Sequence, residues 1–117
     1  MKNYEYALII DDDTDLCLLM KAILKDMIAH IKFAHSIESG EKILASLKPD
    51  IIFLDNNLPD GQGIAQIKEI KAKSPNSLLV IITAAGFARE QSLMNGADQF
   101  LEKPLTYSNI YAALNSD

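Results

Sequence analysis

Strand-length apolar runs that do not alternate with polar residues most strongly limit the fold of this chain. Four occur: YALII at 6–10, IIFL at 51–54, LLVII at 78–82 and the shorter QFL at 99–101; IKFA at 31–34 is a weaker fifth. A strand with one face in water alternates, whereas a strand of a parallel sheet covered on both faces reads as continuously apolar. The runs therefore predict a buried parallel sheet covered by the segments between them.

Segments with helical periodicity separate the runs. The first has an apolar face from Leu16 to Met27, with Asp13 or Thr14 as the N-cap. The others are predicted from the Ser36 cap to residue 47, from 64 to 74, from 88 to 94, and after Pro104. Strand and helix thus alternate five times. With 117 residues and 49% hydrophobic residues, the chain fits one domain over 1–117, a doubly wound flavodoxin-like α/β fold with sheet order 2-1-3-4-5.

Polar residues follow the predicted strands. Asp11, Asp12 and Asp13 follow the first strand, Asp55 the third, Thr83 the fourth and Lys103 the fifth. In such a sheet, ligands bind beyond the carboxyl ends of the strands, where the strand order reverses. We therefore expect Asp11, Asp12 and Asp55 to share a pocket, with Thr83 and Lys103 on its far side.

Clustered carboxylates need either a proton or a cation. Oxygen ligands with room for water suit Mg²⁺. With a lysine and a hydroxyl nearby, the set fits phosphoryl transfer with Asp55 as nucleophile. The simpler interpretation is that the acids cap helices and face water, and we favour it for Asp13, Asp15 and Asp60.

Other motifs fit poorly. A calcium loop starting at Asp11 fails because Leu16 stands where glycine is needed and Ala22 where a glutamate belongs. A small Mg²⁺-dependent phosphatase of the haloacid-dehalogenase type needs Thr or Val where Asp15 stands. No phosphate-binding glycine loop of the dinucleotide or P-loop type is present.

The remaining candidate residues read as structural. The two histidines, His30 and His35, lack zinc-ligand spacing with cysteine and are expected away from the polar strand ends. The single cysteine, Cys17, reads as a core residue. A net charge of -5 without a basic patch argues against direct nucleic-acid binding. No run is long enough to span a membrane and no signal peptide is apparent, so a cytoplasmic setting is expected.

Four motifs in order, LIIDDD, PDIIFLDNNLPDGQG, VIITAAG and NGADQFLEKPL, resemble the receiver domain of bacterial two-component response regulators, including the chemotaxis regulators. The resemblance covers essentially the whole chain. It implies that Asp55 is the phosphoacceptor and that Mg²⁺ is held by Asp11, Asp12, Asp55 and the main-chain carbonyl of Asn57, with Asp12 a direct ligand. It also implies that Thr83 and Lys103 contact the phosphoryl group and that Phe100 rotates inward with Thr83 on activation.

The resemblance further implies the partners. A sensor histidine kinase or a phosphotransfer domain would donate the phosphoryl group, and the aspartyl phosphate would later be hydrolysed. Such a domain catalyses its own phosphorylation and dephosphorylation without being a conventional turnover enzyme. A downstream protein or effector domain would bind the face formed by the fourth helix, fifth strand and fifth helix, and a homodimer on phosphorylation is compatible with the family.

Some positions depart from the family pattern. Asn56 is polar where an apolar residue is usual, Gln62 replaces an acid before Gly63, and neither Ala84 nor Ala85 can hold an attacking water. No catalytic group is lost. The alternative to a phosphoacceptor is a receiver-like module that binds a partner or dimerises without phosphorylation.

Overall fold

The computed structural model describes residues 4–115. Its strands, in chain order, are β1 (Tyr4–Ile10), β2 (Ile28–Ala34), β3 (Ile51–Asp55), β4 (Asn57–Leu58), β5 (Gly61–Gln62), β6 (Leu78–Thr83) and β7 (Gln99–Glu102). Five of them form one parallel sheet in the order β2-β1-β3-β6-β7. This confirms the predicted order, because β4 and β5 form a separate antiparallel hairpin that the sequence analysis did not anticipate. The expected domain limits of 1 and 117 lie outside the described residues.

The described residues contain five helices, four between strands and one after β7. They are α1 (Thr14–Leu24), α2 (Ile37–Ser46), α3 (Ile67–Lys73), α4 (Arg89–Met94) and α5 (Tyr107–Leu114), and short 3-10 turns at 63–66 and 86–88 precede α3 and α4. The first helix ends earlier than predicted, since Lys25 is its C-cap and Met27 lies in the turn before β2. Met27 fits the apolar spacing of the helix in the sequence, but in the structure it packs against the core from the turn.

Two apolar clusters, one on each face of the sheet, explain why the strands read as continuously apolar. Ile9 and Phe53 belong to the cluster that includes residues of α1 and α5. Leu8 and Leu54, their neighbours in the chain, belong to the cluster that includes residues of α2 and α3. Successive side chains of a strand point to opposite faces, so every position of β1 and β3 near the centre is buried.

Local caps set where several helices begin. The carboxylate of Asp13 accepts hydrogen bonds from the N–H groups of Asp15 and Leu16, so Asp13, and not Thr14, caps α1. Ser36 caps α2, as the sequence predicted, and the structure adds a reciprocal hydrogen-bond pair with Ser39. Within the described range, none of the helices has the length and apolar character needed to cross a membrane.

Candidate functional site

Strand register aligns the polar residues along one edge of the sheet. Ile10 pairs with Leu54, so Asp11, directly after β1, lies at the same level as Asp55, the last residue of β3. Thr83 pairs with Glu102, and the N–H of Lys103 donates to the carbonyl of Thr83 at 2.9 Å. The carboxyl ends of β1, β3, β6 and β7 therefore lie along one edge of the sheet, and the strand order reverses between β1 and β3.

Three carboxylates converge at this point. One ligand oxygen from each of Asp11, Asp12 and Asp55 lies within 4.8 Å of the other two. Asp11 and Asp55 are buried, with exposed fractions of 0% and 2%, whereas Asp12 is exposed. The backbone holds Asp11 in place, because its Oδ1 accepts a hydrogen bond from the N–H of Asp13 at 2.9 Å.

In the part of the chain that the structure describes, one lysine faces the two buried carboxylates. Lys103 Nζ lies 3.2 Å from Asp11 Oδ2 and 3.3 Å from Asp55 Oδ1. These are ion-pair distances, but among residues 4–115 neither oxygen accepts a hydrogen bond of acceptable geometry. One ammonium therefore neutralises only one of two buried negative charges, and the exposed carboxylate of Asp12 adds a third.

This charge balance shifts the ionisation of the site. Burial raises the pKa of the Asp55 carboxyl, the charge of Asp11 raises it further, and Lys103 opposes both effects. Burial alone would lower the pKa of Lys103, but the charges of Asp11 and Asp55 outweigh burial and raise it. Asp55 thus favours a proton or a further cation at close range, while Lys103 stays charged.

The donor set fits a hard divalent cation. Within residues 4–115, two buried carboxylate oxygens lack a hydrogen-bond donor. Together with the exposed carboxylate of Asp12 they form an all-oxygen cluster that is exposed on the side of Asp12. Mg²⁺ prefers such ligands and keeps several waters. Receiver domains in general bind Mg²⁺ at an acidic pocket, and this cluster has that composition.

The other predicted site residues lie around the cluster. Thr83 is fully buried, and its Oγ1 accepts a hydrogen bond from the N–H of Ala85 at 3.2 Å, which uses an oxygen lone pair and not the hydroxyl proton. Asn57 is exposed in the hairpin, and its N–H helps to stabilise the charged form of Asp55. Phe100 is half-buried on β7 and packs against the cluster that includes α2 and α3. The roles assigned to these three residues stay predictions.

Sequence reasoning missed several supporting residues. Asn56, noted only as a departure, is nearly buried, and its Oδ1 accepts from the N–H of Ile64 at 3.0 Å. Gly63 lies so close that a Cβ there would be 2.3 Å from the carbonyl oxygen of Asp55. The glycine itself is visible in the sequence, but its proximity to Asp55 depends on tertiary folding.

The two histidines and the cysteine lie in different surroundings, and one of the histidines contacts the site. His35 does not lie away from the polar strand ends, because its Nδ1 is 2.9 Å from the main-chain carbonyl of Asp11. It follows β2, whose end adjoins that of β1. His30 lies on β2 and stacks on Tyr6 with ring centroids 4.6 Å apart. Cys17 is buried, and burial together with nearby aspartates raises the pKa of its thiol to about 11.

A surface cavity of about 630 Å³ lies at the opposite end of the sheet and shares no lining residue with this site. It is lined by Tyr4, Asp50, Lys71 and Asp98, among others. Asp50 already accepts from two backbone N–H groups of β1, and Lys71 already donates to Asp98 and to a main-chain carbonyl. These charged groups serve to hold strand ends together.

Fold and site together define a doubly wound α/β domain with an acidic pocket at the switch point of its sheet. A family model of the response regulator receiver domain matches residues 7–115. The chain belongs to this family and is a receiver domain of the two-component response regulator type. The resemblance found in the sequence is therefore confirmed.

Individual relatives agree with the family. Chemotaxis protein CheY of Thermotoga maritima is 33% identical over 116 residues, covering 93% of each chain. Transcriptional regulatory protein ZraR of Escherichia coli is 31% identical over 112 residues, which make up 92% of this chain but only 25% of ZraR. The chain thus spans about a quarter of the length of such transcriptional regulators. A two-component response regulator from Clostridium difficile has a TM-score of 0.88 and 31% identity, over 96% of this chain and 93% of that one.

Proposed function

We propose that this receiver domain accepts a phosphoryl group on Asp55 from the phosphohistidine of a sensor kinase or a phosphotransfer domain, in a Mg²⁺-dependent reaction. The observation that carries the proposal is the pair of buried carboxylates, Asp11 and Asp55, which share one lysine at adjacent strand ends. Isolated buried charges are strongly unfavourable, so a site that keeps an excess of them has a use for added positive charge.

The transfer itself is a displacement at phosphorus. A carboxylate oxygen of Asp55 forms the new bond to phosphorus, and the bond from phosphorus to the histidine nitrogen breaks. The phosphohistidine ring carries a proton on its other nitrogen, so it leaves as neutral histidine. Hydrolysis later adds water at phosphorus, releases inorganic phosphate and restores the Asp55 carboxylate. Positioning and charge neutralisation supply most of the catalysis in such transfers.

The surrounding residues have separate roles in this proposal. Lys103 pairs with the phosphoryl oxygens, since its ammonium already lies between the two buried carboxylates. The Thr83 hydroxyl donates a hydrogen bond to the phosphoryl group, and Phe100 follows Thr83 inward as the switch. When bound, Mg²⁺ would be held by Asp11, Asp12, Asp55 and the Asn57 carbonyl, and would neutralise charge on the phosphoryl oxygens.

The output surface is the face formed by α4, β7 and α5. Exposed apolar side chains occur there: Phe87, in the turn that precedes α4, is 91% exposed, Met94 78% and Tyr107 57%. Receiver domains interact with kinases and effector domains, and we propose this face for a downstream protein or effector domain. The homodimer on phosphorylation and the cytoplasmic setting are further proposals of the same kind.

Intact mass after incubation with acetyl phosphate tests the proposed reaction. The wild type should gain one phosphoryl group with Mg²⁺ and none without it, and Asp55→Asn should gain none. A wild type that gains nothing in Mg²⁺ would contradict the proposal and favour the phosphorylation-independent interaction module. A wild type and an Asp55→Asn variant that gain the same mass would show that another residue is the acceptor.

A further inference from the structure

The hairpin that carries Asn57 is tethered to a different part of the chain by Asp60. Asp60 Oδ1 accepts from the N–H of Ile37 at 2.8 Å, and Oδ2 accepts from the N–H of Glu38 at 3.0 Å. Both donors belong to the first turn of α2. A carboxylate from the loop after β3 therefore binds the start of a helix more than twenty residues earlier in the chain.

α2 does not depend on Asp60 alone for its cap. Ser36 Oγ accepts from the N–H of Ser39 at 3.1 Å, and the Ser39 hydroxyl accepts from the N–H of Ser36 at 3.1 Å. This reciprocal pair already satisfies the usual capping positions. The Asp60 contacts use two other N–H groups, so their particular consequence is to hold the hairpin against α2.

Further contacts hold the same hairpin. Asn57 pairs with Gln62 and Leu58 with Gly61. Gly61 has φ of +149° and lies so close to α2 that a Cβ there would be 3.1 Å from Ile37 Cδ1. Behind the hairpin, the Asn56 N–H donates to the carbonyl of Ile82 at 3.1 Å.

Asn57 lies between these attachments. Its side chain is exposed, so packing of that side chain does not fix the direction of the main-chain carbonyl. The segment around Asn57 is held by four contacts: the buried attachment at Asn56, the pairing of Asn57 with Gln62, the buried side chain of Leu58 and the tether at Asp60. Loss of the attachment at Asn56 or of the tether at Asp60 would let the hairpin move relative to Asp55.

We propose that Asp60 is a positioning residue for the metal site: by binding the first turn of α2, it holds the hairpin so that the Asn57 carbonyl completes the Mg²⁺ ligand set. This inference rests on the proposed function, which assigns the Asn57 carbonyl to Mg²⁺. Asp60 does not touch the ion. It acts as outer residues do in other metal sites, by orienting a ligand.

The state of the Asp60 carboxylate suits this task. The N–H groups of Glu38 and Ile37 hold the pKa of Asp60 below its usual range. The carboxylate is therefore charged throughout the neutral range, and the tether does not titrate under the conditions in which Mg²⁺ binding is measured.

The test compares Mg²⁺ dissociation constants in the wild type, Asp60→Ala, Asp60→Asn and Ser36→Ala, by amide NMR titration with magnesium chloride. Ser36→Ala is the matched control, because it removes a cap of the same helix without touching the hairpin. Both alanine variants should lower the melting temperature by a few degrees. Only Asp60→Ala should weaken Mg²⁺ binding, by about tenfold.

Two further readouts separate positioning from loss of stability. Asp60→Asn keeps one acceptor oxygen and should bind Mg²⁺ with intermediate strength. Phosphorylation of Asp60→Ala by acetyl phosphate should be slow at low Mg²⁺ and recover at saturating Mg²⁺, since the reacting groups are intact.

The contrary outcomes are distinct. If a folded Asp60→Ala binds Mg²⁺ with wild-type affinity, Asp60 is only a helix cap. If Ser36→Ala weakens Mg²⁺ binding equally, the effect comes from the stability of α2. Either result overturns this inference and leaves the proposed function standing. A wild type that does not bind Mg²⁺ overturns the proposed function and this inference with it.

Discussion

Replacing Asp55 with asparagine should stabilise the protein in the absence of metal. The substitution keeps the size and shape of the side chain and removes one of the two buried negative charges. The raised pKa of Asp55 has this consequence, because it means that burial and the Asp11 charge together outweigh the attraction of Lys103.

The magnitude follows from the distances. At an effective dielectric of about 20, the Asp11 carboxylate within 4.8 Å costs at least about 3.5 kcal/mol, and Lys103 at 3.3 Å contributes about 5 kcal/mol of attraction. The two pair energies leave a small net attraction, and burial of the ion costs several kcal/mol against it. Asp55→Asn should therefore raise the free energy of unfolding by on the order of 1 to 3 kcal/mol.

Urea unfolding without metal, followed by circular dichroism from acid to neutral pH, measures this difference. Because the pKa of Asp55 is raised in the folded state, the destabilisation is fully present above that pKa. It shrinks as the wild type takes up the proton and disappears near about pH 4, the usual aspartate value. Asp12→Asn is the control, since Asp12 is exposed and its replacement should change stability by less than about 0.5 kcal/mol.

Added Mg²⁺ should raise the free energy of unfolding of the wild type more than that of Asp55→Asn. The wild type should be stabilised by added Mg²⁺ according to its occupancy, and Asp55→Asn should be stabilised less. An Asp55→Asn variant that is less stable than the wild type at neutral pH without metal would refute the charge balance described for this site.

Four other changes have expected outcomes. Lys103→Met leaves two buried carboxylates without their cation and should lower stability by about 3 kcal/mol at neutral pH in urea unfolding, with less loss on acidification. Gly63→Ala should destabilise by about 2 kcal/mol or more because its Cβ meets a main-chain oxygen at 2.3 Å. Gly86→Ala should lower the stability less in calorimetry, because its Cβ would meet Glu102 Oε1 at 2.6 Å, the end of a flexible side chain. Phe87→Ser should leave the melting temperature nearly unchanged because Phe87 is 91% exposed, yet weaken binding of a downstream partner in a pull-down.

The sheet could be predicted because its information is local. Continuous apolar runs such as IIFL identify buried parallel strands, and both faces of β3 are indeed covered. Caps such as Ser36 act within a few residues, so they too can be read from the chain. The end of α1 was misplaced because Met27 satisfies helical spacing while it packs from a turn.

The site could be predicted in part for the same reason. Asp11 and Lys103 directly follow a strand, and Asp55 and Thr83 each end one. The strand order of the fold brings those ends together. Their separations and the sharing of one ammonium between two carboxylates were not accessible, because they depend on side-chain directions across three strands.

Sequence alone determined the fold class, the family and the identity of the residues at the strand ends. These depend on periodicity and on motifs that span a few positions. Tertiary structure alone decided which carboxylates are buried, that His35 contacts Asp11, and that Asp60 is tied to α2. Each of these joins segments far apart in the chain, where burial and hydrogen-bond geometry exist only after the segments have packed.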